Sequence, residues 1–118
     1  MAEFKMELSL AEEDRDVTRG EARALKATYL ENEVEVSILE GEFTTLIPDK
    51  NGQLITIAND DHTIIETTGV NVGRVNIALS ALNSERLPTG KKISISTKVV
   101  IGDVTKWYWG YIDQVRAT

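Results

Sequence analysis

No cysteine occurs among the 118 residues, which excludes a disulfide framework, a thiol nucleophile and a thiolate metal site. Stability has to come from burial alone. His62 is the single histidine, so any catalytic triad must run through it, and no serine stands in a Gly-x-Ser-x-Gly elbow. No apolar stretch approaches the ~18 residues that a membrane helix needs. The opening MAEFKMELSL alternates polar and apolar residues where a signal peptide would carry a continuous apolar block. These absences predict a soluble chain made in the cytoplasm, with no membrane partner. Basic clusters are missing as well. Lys91-Lys92 is the one adjacent basic pair in a chain of net charge -6, which speaks against nucleic acid as a partner.

The length suits one domain with its own core. Hydrophobic residues at 42% and charged residues at 27% fit a folded protein. Acidic residues gather at Glu12, Glu13, Asp14 and Asp16, and this run is expected to be a solvated loop.

What the chain has in quantity is two-residue alternation, the mark of strands with one buried face. Phe4, Met6, Leu8 and Leu10 alternate with polar partners, as do Val34, Val36 and Ile38, then Val75, Ile77 and Leu79, then Ile93 and Ile95. The last alternating stretch puts Trp107, Trp109 and Tyr111 on one face, with Tyr108 and Ile112 near the other. Turn residues punctuate these runs. Pro48-Asp49-Lys50-Asn51-Gly52 predicts a type I′ hairpin at Asn51-Gly52. Ile101-Gly102-Asp103-Val104 predicts a second hairpin, and Asn59-Asp60-Asp61 and Thr68-Gly69 supply further turns. Residues 17–33 are ambiguous: Thr18 and Glu21 have capping-box spacing, yet Leu25, Ala27 and Tyr29 alternate, so helix and strand both fit.

The stretch SALNSERLPTG, residues 80–90, contains an LPTG but lacks the spacing and apolar tail of a sorting signal. It predicts a short crossover: helical turns over Ser80–Arg86 capped by Ser80, Leu82 and Leu87 turned inward, Pro88 ending the turn and Gly90 permitting the reversal.

The motifs for chemistry fail on inspection. Asp60-Asp61-His62 reads as a polar loop entering a strand rather than a metal cluster. A calcium loop around Gly52 would need side-chain oxygens at Ile47 and Ala58. Gly69-Val-Asn-Val-Gly73 lacks the Lys-Ser/Thr of a phosphate loop. Nineteen acids are present, but no spacing selects a pair for glycoside hydrolysis. No enzyme activity, cofactor or metal is expected. The one local concentration is the aromatic run Trp107, Tyr108, Trp109 and Tyr111. Core packing of the Trp107/Trp109/Tyr111 face and a flat binding surface both fit it.

The order of pieces resembles the small immunoglobulin-like β-sandwich modules of bacteriophage structural proteins of the baseplate, tail and neck, such as the N-terminal domains of upper baseplate proteins. The residues that carry the likeness are Arg19-Gly20-Glu21, Leu79-Ser80, Leu87-Pro88-Thr89-Gly90 and Gly110 to Val115. Glu21 stands where that pattern has Asp. The resemblance covers residues 17–116 and implies an all-β, antiparallel immunoglobulin-like β-sandwich of about seven to eight strands with one short helical crossover near residues 80–86. It favours a strand over Arg23–Leu30. Residues 1–16 form an N-terminal strand or arm with the acidic loop, and residues 17–118 the sandwich.

The resemblance further implies a non-enzymatic virion structural protein, located in the virion and assembled by protein–protein contact with other virion proteins and with its own copies. A carbohydrate- or receptor-binding module and a capsid decoration protein are the alternatives. Strand addition by an exposed edge over Glu3–Leu10 is one expected mode of contact. The expected interaction surface is Phe4, Met6, Leu8, Trp107, Tyr108, Trp109 and Tyr111.

Overall fold

The computed structural model describes residues 5–36, 38, 41–65 and 74–117. The chain is all-β. Its strands are β1 (Met6–Leu10), β2 (Asp16–Thr18), β3 (Arg23–Glu31), β4 (Val34–Glu35), β5 (Glu42–Pro48), β6 (Leu54–Ile57), β7 (His62–Ile64), β8 (Arg74–Leu79), β9 (Ile93–Ile101), β10 (Val104–Ile112) and β11 (Gln114–Arg116). One helix, α1 (Ala81–Glu85), and two short 3-10 turns complete the described residues. Nine strands form one curled sheet in the order β6-β5-β9-β10-β1-β3-β8-β7, with β4 on the end of β3; β2 and β11 form a second, two-stranded sheet.

The expectation of a wholly antiparallel arrangement needs correction. β1 runs parallel to β10, and β2 runs parallel to β11. The N-terminal segment therefore travels alongside the C-terminal one, sealed by Arg116 on Asp16, with Nη2 to Oδ2 at 2.7 Å. β1 is also no edge. It pairs with β3 along its whole length and with β10 at Glu7 opposite Trp109. The free edge that strand addition requires is absent there, because both of its sides are hydrogen-bonded. Of the expected contact residues on this segment, Phe4 lies outside the described residues, Met6 packs against the core, and Leu8 is inside it.

The ambiguous segment is a strand. Leu25, Ala27 and Tyr29 of β3 point inward and are fully buried, so burial of an alternating face outweighs helix propensity. They share one core with Val75, Ile77 and Leu79 of the neighbouring β8, Ile93, Ile95 and Val99 of β9, and Tyr108 and Ile112 of β10. Tyr29 and Tyr108 meet edge to face at 5.1 Å, a favoured aromatic geometry.

Ser80 caps α1, its hydroxyl accepting from the Asn83 N–H at 3.1 Å. Leu87 is buried as expected, but Leu82 is exposed: five helical residues offer one inward stripe, and Ser84 occupies it. Ser84 joins two of the sequence motifs. Its Oγ accepts from the Gly20 N–H at 3.0 Å and donates to the Thr18 carbonyl at 3.3 Å. Gly20 has φ of 90°, and a Cβ there would meet Glu85 Oε1 at 2.5 Å. The Arg19-Gly20-Glu21 turn and the crossover thus lock to each other.

The hairpin at residues 48–54 differs from the expected type I′. Pro48 pairs with Leu54, the Asp49 N–H donates to the Gln53 carbonyl, and Gly52 has φ of 80° while Asn51 is not in the left-handed region. This is a three-residue loop closed by a left-handed glycine. Asp49 dictates it, because its Oδ1 accepts from the N–H groups of both Asn51 and Gln53. The type I′ turn occurs elsewhere, between β3 and β4, where Asn32 and Glu33 have φ of 51° and 69°. A glutamate is strained at such a φ, whereas Asn-Gly is the preferred pair. Glu33→Gly is expected to raise the unfolding free energy by about 0.5–1 kcal/mol, measured by urea denaturation.

Candidate functional site

Residues directly opposed across a sheet share a face. The strand registers therefore define a row that crosses six strands on the outer side: Thr56, Leu46, Ser96, Trp109, Glu7 and Leu30. Trp109 stands in its middle. A parallel row runs Thr44, Lys98 and Trp107, and Tyr111 lies opposite Ser94.

Trp109 and Tyr111 are 55% and 53% exposed, whereas Tyr108 is 2% exposed. Core packing of the Trp107/Trp109/Tyr111 face is thereby overturned: Tyr108, Gly110 and Ile112 face inward. Gly110 explains the choice. β1 crosses so close to β10 that a Cβ on Gly110 would lie 2.0 Å from the Leu8 carbonyl oxygen. Only a glycine fits at that inward position, and its two neighbours Trp109 and Tyr111 are turned out to solvent. Of the expected contact surface, then, Trp107, Trp109 and Tyr111 come together on the outer face, while Leu8 and Tyr108 belong to the interior. Burial, and after it the Glu31 carboxylate, push the Tyr108 phenol up to about 12.

Beside this ridge lies a cleft. β1 and β10 are in register only at Glu7 and Trp109. Past the close Leu8–Gly110 approach, Arg15 joins the end of β10, its carbonyl accepting from the N–H groups of Asp113 and Gln114 at 2.8 and 3.1 Å. The opening holds about 380 Å³ and is lined by Trp109, Tyr111, Lys5, Glu7, Arg15 and Asp113, together with Ser9, Gly110 and the two leucines of β1. Lys5 Nζ is 3.0 Å from Glu7 Oε1, and this hydrogen bond and charge hold the Lys5 ammonium above its ordinary value. Arg15 is anchored by its Nε donating to the Leu10 carbonyl at 2.9 Å. The Lys92 ammonium sits 4.3 Å from the centroid of the Tyr111 ring and braces it.

The sequence pointed to the aromatic residues but missed the cleft, because its polar lining comes from residues 5–15 and residue 113, which only the parallel pairing of the two chain ends brings together. The glycine inside the aromatic run was the available signal of a close backbone approach.

His62 sits away from this face, at the start of β7, after the 3-10 turn Asn59–Asp61. Its Nδ1 contacts the Ala58 carbonyl at 2.8 Å; a carbonyl only accepts, so Nδ1 carries the proton. Nε2 then accepts from the Thr45 hydroxyl at 2.6 Å, and Thr45 accepts from Thr97 at 2.9 Å. The imidazole is thus engaged in holding β5, β7 and β9 together, and it stacks on Phe43 at 5.4 Å. Burial pushes its pKa below the ordinary 6.5. A depressed histidine value means that the unfolded chain takes up the proton first. The resulting stability is fully present above about pH 6.5 and is lost as pH falls through the folded-state value. Asp16 and Asp49, whose values are lowered from 3.8, lose their contributions in a separate, more acid window. Denaturation midpoints measured between pH 7.5 and 5 should therefore fall with acid, and His62→Asn should flatten that slope. Among the described residues no group of three or more His, Cys, Asp or Glu is placed to hold a metal ion.

No protein-family model matches the chain, and no curated protein matches it either.

Proposed function

We propose that this chain is a non-enzymatic structural protein of a bacteriophage virion, a baseplate, tail or neck accessory component built on an immunoglobulin-like sandwich, which acts through protein–protein assembly contacts. The observation that carries the contact reading is the exposure of Trp109 and Tyr111 at the centre of an open sheet face. Large, rigid aromatics with a polar edge supply contact area at low entropic cost, and such residues anchor interfaces. On the β9 side Ser96 and Leu46 continue the Trp109 row, and Leu54 on β6 is 56% exposed. The virion assignment rests on the resemblance carried by Arg19-Gly20-Glu21 and Leu87-Pro88-Thr89-Gly90. Its partners are other virion proteins and its own copies, joined after synthesis in the host cytoplasm.

The test places charge on the β5–β9 half of this face. Leu46→Arg is expected to fold normally, since Leu46 faces outward, and to abolish co-sedimentation with the structural proteins encoded beside its gene. Unchanged co-sedimentation would remove this face from assembly. A carbohydrate-binding reading is favoured by one further observation, the cleft on the other half of the face.

A further inference from the structure

We propose that the cleft between β1 and β10 is a binding site for a neutral oligosaccharide. Its volume of about 380 Å³ is within the range of small-ligand sites. Two exposed aromatic side chains, Trp109 and Tyr111, form one wall. Being two apart on one strand, they stand about 7 Å from each other, so an extended ligand can meet both. The apolar C–H face of a sugar ring stacks on such a wall, while its hydroxyl groups point sideways and need both donors and acceptors.

The cleft supplies both. Lys5 and Arg15 donate, Glu7 and Asp113 accept, and the Ser9 hydroxyl does either. Among the lining residues two cations stand against two carboxylates, a mixed set of donors and acceptors that suits a neutral polyol. Hydrogen bonds to these charged groups are about twice as strong as neutral ones. The groups are also pre-positioned: Lys5 is held by Glu7, Arg15 by the Leu10 carbonyl, and the Tyr111 ring by Lys92. The exception is informative. Among the described residues the Asp113 side chain has no hydrogen-bond or ion-pair partner, so its carboxylate is available to a ligand. Donors and acceptors beside an aromatic wall distinguish this half of the face from the β5–β9 half, where Leu46 and Ser96 continue the row.

The proposal shares Trp109 and Tyr111 with the contact reading but not Leu46 and Ser96, so the two readings separate experimentally. The native protein is titrated with chitotetraose, cellotetraose, maltotetraose and mannotetraose while its tryptophan fluorescence is followed. At least one sugar is expected to give a saturable change. Trp109→Ala and Tyr111→Ala should each weaken that binding by about tenfold or more, as expected for an aromatic anchor. Asp113→Ala should weaken it about threefold, the loss of one hydrogen bond at an open site. Leu46→Arg should bind the sugar as the native protein does. No saturable response to any of the four sugars overturns the proposal, as does a response that survives both aromatic substitutions. Loss of co-sedimentation in Leu46→Arg with no sugar response would sink the saccharide site alone and leave the assembly reading standing.

Discussion

Gly110→Ala is expected to destabilise the protein by about 3 kcal/mol or more, at the upper end of what inserting one methyl group into a packed interior costs. The new Cβ would lie 2.0 Å from the Leu8 carbonyl oxygen and 3.0 Å from the carbon that bears it. A flexible side chain could swing away from such a contact; a backbone carbonyl in the middle of a sheet cannot. β1 is held on its other side by five register pairs with β3, so it has to move as a unit or lose its contact with β10. For a chain of this size the loss corresponds to about 10 °C or more in Tm. Hydrogen exchange provides the local readout, since the amides of Met6–Leu10 should lose protection ahead of those in β5 and β9. A loss below about 1 kcal/mol with β1 still protected would refute the close parallel crossing, and with it the origin of the cleft. The exposed Gly52 is a useful comparison: nothing lies within 4 Å of a Cβ there, so any cost of Gly52→Ala reflects its φ of 80° alone.

Asp14→Ala carries the second large expectation, about 3 kcal/mol of lost stability by urea denaturation. The acidic run Glu12–Asp16 reads as a solvated loop, and Glu12 and Glu13 are indeed exposed, but Asp14 is only 3% exposed. Its Oδ1 accepts from Arg23 Nε at 2.9 Å and its Oδ2 from the Lys26 N–H at 2.8 Å, while Arg23 Nη2 also reaches the Glu13 carbonyl. The carboxylate thus closes the end of the β1–β3 ladder, where the Ala11 N–H makes its last bond, to the Lys26 carbonyl. Removing it strands a backbone donor and the buried part of a guanidinium together. Arg23 keeps an exposed fringe, which holds the loss below that of a fully buried pair. Asp14→Asn should recover little, because its amide nitrogen would face a donor at one of the two positions. Equal stability of the native and Asp14→Ala proteins would return the segment to the solvated-loop reading.

These two residues show where reading the sequence stops. Asp14 looks like Glu12 and Glu13 in composition and pattern, and what separates it is Arg23, which arrives from the next strand. Gly110 looks like a weak point in an aromatic strand, and what explains it is Leu8, about a hundred residues away along the chain. The aromatic run itself was legible as a concentration of contact surface. Which of its faces met water was not, since both faces carry rings and periodicity alone treats them alike. The hydrogen-bonded chain from His62 through Thr45 to Thr97 was equally hidden, because three strands have to meet before those hydroxyls have partners.

Over residues 23–30 local pattern left helix and strand both open, but the sequence by itself determined that the chain is all-β and that Ser80 to Gly90 form a capped crossover. Each of these depends on a neighbour two to four residues away, where side-chain period, capping and allowed φ act. The tertiary structure alone decided that the two chain ends run parallel, that β1 lies inside the sheet, and that a polar cleft opens beside Trp109. Those features depend on contacts between distant residues, and local pattern carries no information about which strands become neighbours.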